Sequence, residues 1–408
     1  MLKNKNKDIF YFFALAPTGK GLSGGDRIFI ELAREWSKKI PVRIFTTQEG
    51  VEMAGEQKLS GSYLTIERLE KGYLPNNFFL KYIYKIFLGI RLGLTFRTAK
   101  SDIQHLFLYS SSDFWMDVLP AVILKTRFTK VKWIATWFQT APNPLRGFEE
   151  RDSENQGQRF RTYKYSALMY GFSQLASKPL ITKFADKVIV NNEEEKKQFL
   201  KHTKRGDTIV LLGAVPLKEI KNWKAKLSKL PKKYDAVFQG RFHPQKGVVE
   251  LVEIWKKVVE KKPNAKLAMI GDGPLMQDVR DKIQDLGLQK NIKLFGYLFD
   301  GPEKYEIFSR SKLVVHPAFY DSGGMASAEA MAFGIPVVGF DLKAYESYYP
   351  QGMLKVPVGD LSAFGDAILK LLDNDDFRRA EGENAEKMIF SKWSWNKRTS
   401  EVLDKIQE

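Results

Sequence analysis

Two consecutive α/β domains, each built on a doubly wound parallel sheet, are predicted by three observations. Residues 9–16 form a short apolar run that leads into the glycine-rich TGKGLSGGDR and then into IFIELAREW, whose apolar residues recur at helical spacing. Residues 234–239 repeat the pattern with an apolar run, the turn GRFHPQKG and an amphipathic helix over 248–259. Between the two halves, residues 216–233 are lysine-rich and polar, which reads as an interdomain linker. An unbroken apolar run suits a strand covered on both faces. Strand, glycine turn and helix in that order place a ligand crevice at the strand's carboxyl end.

Further strands are expected at 42–46, 103–108, 131–136 and 187–190, separated by helical or irregular segments as a parallel sheet requires. In the second half they are expected at 266–270, followed by GDGP, at 292–295, followed by GYLFDG, and at 313–315 and 336–340, with a helix over 361–372. There is no low-complexity tract and no short repeat. The glycine loop at 18–27 is a weak signal by itself, because a plain tight turn has the same composition.

A chain of 408 residues is long enough for two or three full cores, and its 44% hydrophobic and 13% aromatic content is that of a globular protein. The absence of cysteine excludes disulfides, thiolate catalysis and cysteine-ligated metals, and is compatible with a reducing cytoplasm. A formal net charge of +17 predicts attraction to polyanions. The opening MLKNKNKDIFYFFALAP reads as a first strand, since its apolar run is short and ends without a small-residue cleavage site. The longest apolar stretch, 78–96, is interrupted by Lys81, Lys85 and Arg91, so a spanning helix is not expected.

Two segments mix aromatics with cations. In 78–97, Lys81, Lys85, Arg91 and Thr95 fall on one narrow stripe of a helical wheel, and 159–183 carries no acid. Either these are core helices with snorkelling cations, or they rest on an anionic membrane surface. The polar stretch 143–158 between them reads as a loop over the site.

The densest chemistry lies at 320–341, YDSGGMASAEAMAFGIPVVGFD. Gly323 and Gly324 have no Cβ, so backbone amides at a helix start can approach a phosphate closely. Asp321 and Glu329 are eight positions apart, about two turns of a continuous helix, so both could face one ligand. Glycines on a diphosphate and carboxylates on sugar and ribose hydroxyls would suit a nucleotide sugar. Arg241 and Lys246 beside the glycine turn at 240–247 supply the cations that phosphate charge requires.

The succession GRFHPQKG, GDGP, a Gly-Tyr-Leu turn and YDSGGMASAEAMAFGIPVV resembles the donor-binding half of retaining glycosyltransferases of the family-4 type. That resemblance implies the GT-B fold, two Rossmann-like doubly wound domains facing each other across a cleft. It implies an acceptor-binding domain over 1–215, a nucleotide-sugar donor domain over 216–390, and a C-terminal helix over 391–408 that crosses back to the first domain. Arg241 and Lys246 match the pair that holds the donor diphosphate, with Gly240 and Gly271 in the adjoining turns. Glu329 matches the acid on the ribose, and Asp321 the acid near the anomeric carbon, which in the family is usually glutamate. Ser322, Gly323, Gly324 and Met325 match the loop that meets phosphates and sugar, Gly24 and Gly25 the loop that closes on the donor, and Tyr297 and Leu298 the base-binding turn.

One departure stands out. Family members often place a histidine after the strand that here reads KWIATWFQT, and Trp137, Phe138 and Gln139 fill that place instead. Either the donor lacks the hydroxyl that histidine would bind, or Gln139 substitutes, or activity is lost; His105 is a further candidate contact.

The activity implied is transfer of a sugar, with retention, from a nucleotide-diphosphate donor to a glycan or lipid-linked acceptor in glycolipid, polysaccharide or glycan synthesis. The departing diphosphate takes the acceptor proton, and catalysis rests on positioning and on Arg241, Lys246 and Asp321. No cofactor and no metal are expected beyond the nucleotide sugar as substrate, and no nucleic acid as partner. The expected place is the cytoplasm, peripheral to the cytoplasmic face of the membrane. Two rivals remain open: a nucleotide-sugar epimerase of the same fold, and a degenerate scaffold that binds nucleotide sugar or lipid.

Overall fold

A computed structural model describes residues 8–18, 22–99, 103–142, 164–200 and 207–408. The expected loop at 143–158 lies outside the described residues. Along the chain come β1 (Ile9–Ala14), α1 (Gly24–Trp36), β2 (Val42–Thr46), α2 (Gln48–Glu56), β3 (Leu64–Arg68), α3 (Phe78–Thr95), β4 (Leu106–Ser110) and α4 (Trp115–Arg127). They are followed by β5 (Lys132–Trp137), α5 (Lys164–Phe184), β6 (Lys187–Val190), α6 (Glu193–Leu200), β7 (Thr208–Val210) and α7 (Leu217–Leu227). Next are β8 (Tyr234–Gln239), α8 (Val248–Lys261), β9 (Leu267–Ile270), α9 (Met276–Asp285), β10 (Ile292–Leu294), α10 (Pro302–Ser309), β11 (Ser311–His316) and α11 (Met325–Met331). The chain ends with β12 (Val337–Phe340), α12 (Ala344–Tyr348), β13 (Met353–Val356), α13 (Leu361–Asp373), α14 (Asp375–Lys392) and α15 (Trp395–Gln407).

Two units result. The first is built from the described residues of Met1–Ala141, Leu168–Gly213 and Trp395–Glu408, the second from those of Pro142–Ala167 and Ala214–Ser394. Each has one parallel sheet, in the orders β3-β2-β1-β4-β5-β6-β7 and β10-β9-β8-β11-β12-β13. These are the doubly wound α/β sheets that the sequence predicts.

In the first unit, one face of the sheet buries Phe13, Leu108, Trp133 and Val190 with Leu88 and Leu92 of α3 and Val118 and Leu124 of α4. On the other face, Phe10 and Phe12 pack against Trp36 at the end of α1, and Trp36 donates its indole N–H to the Thr399 carbonyl of α15 at 3.0 Å. The last helix thus belongs to the first unit. The second core surrounds Phe238, Leu251, Trp255, Leu267 and Val315, where the apolar stripe of α8 meets β8, β9 and β11.

Several expectations are corrected. Residues 217–227, expected within a linker, form α7, which buries Ile220 and pairs Lys224 with Glu386 of α14 at 2.5 Å. Its lysines are a solvated face over a narrow apolar stripe, which composition alone reads as a linker. The strand expected at 103–108 begins only at Leu106, because Ile103–His105 is a 3-10 turn.

The cation stripe of α3 does not face outward as a unit. Lys81 and Lys85 turn toward Glu49 of α2, at 2.8 and 2.7 Å, and Lys85 also donates to the Pro17 carbonyl at 2.5 Å. What α3 exposes is apolar: Phe79, Ile83, Phe87 and Leu94, with Arg91 among them.

Removing the Trp36 side chain tests how tightly α15 is tied in. Trp36→Ala should destabilise the protein by about 3–5 kcal/mol, the range for large aromatic deletions in cores. Trp36→Phe should cost about 1–3 kcal/mol, chiefly through the stranded Thr399 carbonyl. Urea titration followed by far-ultraviolet circular dichroism measures both.

Candidate functional site

In the first sheet, strand addition reverses between β1 and β4, so the loops after these strands border the crevice at the carboxyl edge. The loop after β1 ends at Ser23, whose hydroxyl accepts from the Asp26 N–H at 3.1 Å while the Asp26 carboxylate accepts from the Ser23 N–H at 3.0 Å. This capping box makes Gly24 the first helical residue. Gly25 lies against Phe138, whose ring would sit 3.1 Å from a Cβ added there.

Trp137 closes β5 with its ring buried against Phe199 and its indole N–H on Thr140 Oγ1 at 2.9 Å, so it packs the core rather than facing a ligand. The Gln139 carbonyl accepts from Tyr170 and Gln174 at 3.1 and 2.7 Å, and its own Nε2 has no hydrogen-bond partner among the described residues. His105 is corrected: it precedes β4 with Nδ1 3.2 Å from Asp8, at the amino edge of the sheet, opposite the crevice.

Ionisable groups crowd this carboxyl edge. Asp117 accepts from the Leu15 N–H at 2.6 Å and from the Ser111 and Ser112 hydroxyls at 3.0 and 2.6 Å. Burial still pushes its carboxyl up to about 7. Asp113, bonded to Gln174 Nε2 at 2.7 Å, is pushed by burial to about 6. Glu195 accepts from the Thr140 N–H and hydroxyl at 2.9 and 2.8 Å and is pushed by burial to about 7.

The second sheet reverses between β8 and β11, and the charged turns emerge on either side of that point. Gly240 and Arg241 follow β8, Gly271 follows β9, Tyr297 and Leu298 follow β10, and residues 317–325 follow β11. The turns touch through backbone. Gly271 has φ +143° and a Cβ there would lie 1.8 Å from the Gly240 carbonyl oxygen, so only glycine fits. The Phe319 N–H donates to the Gln245 carbonyl at 2.9 Å, which holds the loop after β11 against the turn that carries Lys246. Arg241 is exposed and makes no ion pair among the described residues. Tyr297 and Phe299 form an exposed edge-on pair, ring centroids 5.0 Å apart.

Asp321 and Glu329 do not share a helix. Asp321 lies in the loop, Gly324 takes a left-handed φ of +56° that starts α11 at Met325, and Glu329 sits inside α11. Asp321 Oδ2 accepts from Lys246 Nζ at 2.6 Å, His316 Nε2 at 2.9 Å and the Tyr345 hydroxyl at 3.0 Å. Its Oδ1 accepts from the Ser322 and Gly323 N–H groups at 2.8 and 3.3 Å. Burial alone would raise this carboxyl, but the Lys246 ammonium and the His316 bond hold it well below the usual range. His316 is pushed down by burial against the pull of Asp321. Glu329 Oε2 accepts from Lys304 Nζ at 2.6 Å, and Lys304, itself buried, also pairs with Asp300.

Residues 219–388, which contain all of these second-unit groups, match the family model described as glycosyl transferases group 1. That stretch belongs to the glycosyl transferases group 1 family. Within 172 residues the chain is 28% identical to an uncharacterized glycosyltransferase of Methanocaldococcus jannaschii, over 41% of this chain and 43% of the relative. It is 30% identical to the poly(ribitol-phosphate) alpha-N-acetylglucosaminyltransferase of Staphylococcus aureus, over 41% of this chain and 33% of the relative. It is 31% identical to the phosphatidyl-myo-inositol mannosyltransferase of Mycobacterium leprae, over 39% and 42%. The matched stretches thus span less than half the length of these curated relatives.

The likeness in fold is wider. Anabaena HepE in complex with UDP and glucose matches with a TM-score of 0.72 at 13% identity, covering 98% of this chain and 100% of that one. Staphylococcus aureus TarM matches at 0.70 and 14%, covering 98% and 99%. The fold is GT-B, with two Rossmann-like units.

Within the group 1 domain, the fold gathers Gly240, Arg241, Lys246, Gly271 and residues 321–325 at one sheet edge and leaves Glu329 one step behind it, on Lys304. Sequence reading missed His316, Tyr345 and Lys304, which stand 5, 24 and 25 positions from the acids they bind. No periodic pattern connects such pairs. It also missed Asp113, Asp117 and Glu195, which carry no local signature.

Glu195 yields a pH test. A carboxyl raised from 4.5 to about 7 binds its proton more tightly in the folded state, so its contribution to stability is full below about pH 4.5 and is lost as pH rises through about 7. Glu195→Gln should therefore leave the melting temperature unchanged at pH 4.5 and raise it at pH 8, by the equivalent of up to about 3 kcal/mol. Differential scanning fluorimetry across that range measures the difference.

Proposed function

We propose that the chain is a retaining glycosyltransferase that moves a sugar from a nucleoside-diphosphate donor to a glycan or lipid-linked acceptor. The observation that carries this reading is the pair of cations in the turn after β8, at the β8–β11 switch point of the group 1 domain: Arg241, exposed and without an ion pair among the described residues, and Lys246, held by Asp321 of the facing loop. Two anionic phosphates at that edge would meet both cations. The relatives named above transfer N-acetylglucosamine and mannose to phosphate-bearing acceptors by their names, and UDP is bound in a structural neighbour.

In this reading the bond between the anomeric carbon and the diphosphate oxygen breaks, and the acceptor oxygen bonds to that carbon on the same face. The acceptor proton passes to the departing diphosphate. Arg241 and Lys246 stabilise the charge that develops on the leaving group. Glu329, oriented by Lys304, accepts from ribose hydroxyls, and Tyr297 and Leu298 border the base. The donor is the only small molecule required, with protein cations doing what a divalent ion would otherwise do. Among the described residues no group of three or more His, Asp or Glu is arranged to hold a metal.

The first unit adds a membrane face to this reading. Among the described residues no helix is long and apolar enough to cross a membrane. Yet α3 exposes Phe79 (64%) and Phe87 (56%) with Ile83 on one stripe, and α5 exposes Phe172 and Leu175. The two helices touch, with the Tyr82 hydroxyl 3.4 Å from Ser173 Oγ. Neither helix contains an acid, and Arg91 and Lys183 are exposed on them. An apolar stripe with cations and no anions suits a surface of anionic lipid.

Three measurements check this reading. A thermal-shift panel of UDP- and GDP-sugars should show stabilisation by one class, and Arg241→Ala should slow nucleoside-diphosphate release about 10²–10³-fold while shifting the melting temperature little. Undiminished turnover in Arg241→Ala would remove the phosphate role. Flotation with vesicles containing anionic lipid should recover the wild type and lose the Phe79→Ser/Phe87→Ser variant. Equal recovery of both would remove the membrane face.

A further inference from the structure

Asp321 is surrounded more completely than a sugar-binding acid should be. Five donors reach its two oxygens: Lys246, His316 and Tyr345 on Oδ2, and the Ser322 and Gly323 amides on Oδ1. An ionised carboxylate offers about four lone-pair sites. A sugar hydroxyl could bind only by displacing one of the five, from a side chain that is 8% exposed.

The donors are also fixed from behind. His316 ends β11, fully buried, and its ring lies 5.9 Å from that of Tyr345. Neutral His316 has one N–H, and the bond to Asp321 assigns it to Nε2. Tyr345 is buried in α12, against Tyr349, whose hydroxyl donates to the Gly323 and Gly324 carbonyls at 3.2 and 2.5 Å. Strand, loop and helix thus converge on one carboxylate, and the only long flexible side chain in the group is Lys246.

We propose that Asp321 is a positioning residue: His316 and Tyr345 fix its carboxylate, the carboxylate fixes the Lys246 ammonium at the donor diphosphate, and Asp321 makes no contact with the transferred sugar. The inference rests on the nucleotide-sugar reading of this site. A lysine stem gives up much rotamer freedom when ordered, and a preset carboxylate removes that cost from the binding step. The pair is neutral overall, so the net positive charge facing the phosphates is that of Arg241.

The test separates diphosphate from sugar. UDP, GDP, UDP-glucose and GDP-mannose are titrated calorimetrically into wild type, Asp321→Asn, Tyr345→Phe, Lys246→Met and the Asp321→Asn/Lys246→Met double variant, each first checked by its melting curve. In Asp321→Asn, affinity for the sugar-free diphosphate and for its sugar form should fall by the same factor, about tenfold. Tyr345→Phe, the variant least able to disturb folding, should lower both equally by a smaller factor. In the Lys246→Met background, Asp321→Asn should have no further effect, since its action runs through Lys246.

Loss confined to the sugar form would overturn the inference, and so would independent effects of the two substitutions. If wild-type protein binds none of the four ligands, the nucleotide-sugar reading fails and the inference with it. Wild-type binding together with a sugar-only loss overturns the inference alone.

Discussion

The edge of the second sheet depends on two lysine–carboxylate pairs that lie out of water. Asp321 and Glu329 side chains are 8% and 7% exposed, and each has a lysine nitrogen 2.6 Å away. Desolvating an ion costs several kcal/mol, and losing one partner of such a pair leaves the other uncompensated. The four residues are therefore coupled, although they come from the turn after β8, the loop after β11, α10 and α11. Loop geometry follows from that coupling. Lys246 reaches Asp321 only because the Phe319 amide binds the Gln245 carbonyl, and the neighbouring turns approach only because Gly271 can lie on the Gly240 carbonyl.

What was legible in the sequence is what local pattern encodes. The apolar runs that became β1, β2, β6 and β8, and the glycine turns after β1 and β8, are written within ten residues or so of chain, and parallel topology places their ends together. The failures have separate causes. α7 was hidden because its lysines outweigh one buried isoleucine in composition. β3 has no fully buried residue and so no apolar run. In α3 the helical wheel found the cation stripe, but which side faces inward was decided by Glu49 on another helix.

The candidate site divides along the same line. Arg241, Lys246, Gly323 and Gly324 announce themselves beside turns, whereas His316, Tyr345 and Lys304 matter only through tertiary contact. Spacing suggested that Asp321 and Glu329 share a helical face. The left-handed Gly324 between them breaks the helix, and each acid acquires its own lysine. A carboxylate's role follows from how many of its lone pairs the protein has already used, and that count is invisible in a motif.

The two units handle acids at their carboxyl edges in opposite ways. In the group 1 domain, a lysine keeps Asp321 ionised in spite of burial, so the charge is matched within the protein. In the first unit, Asp113 and Asp117 lie beside the equivalent switch point and are driven by burial to about 6 and 7, so near neutrality each is poised between the neutral and the charged form. A neutral carboxyl donates a hydrogen bond and does not repel phosphate, whereas an ionised one without a cation does. A diphosphate is thus compatible with the edge of the second unit at any physiological pH, with Arg241 left over as net positive charge.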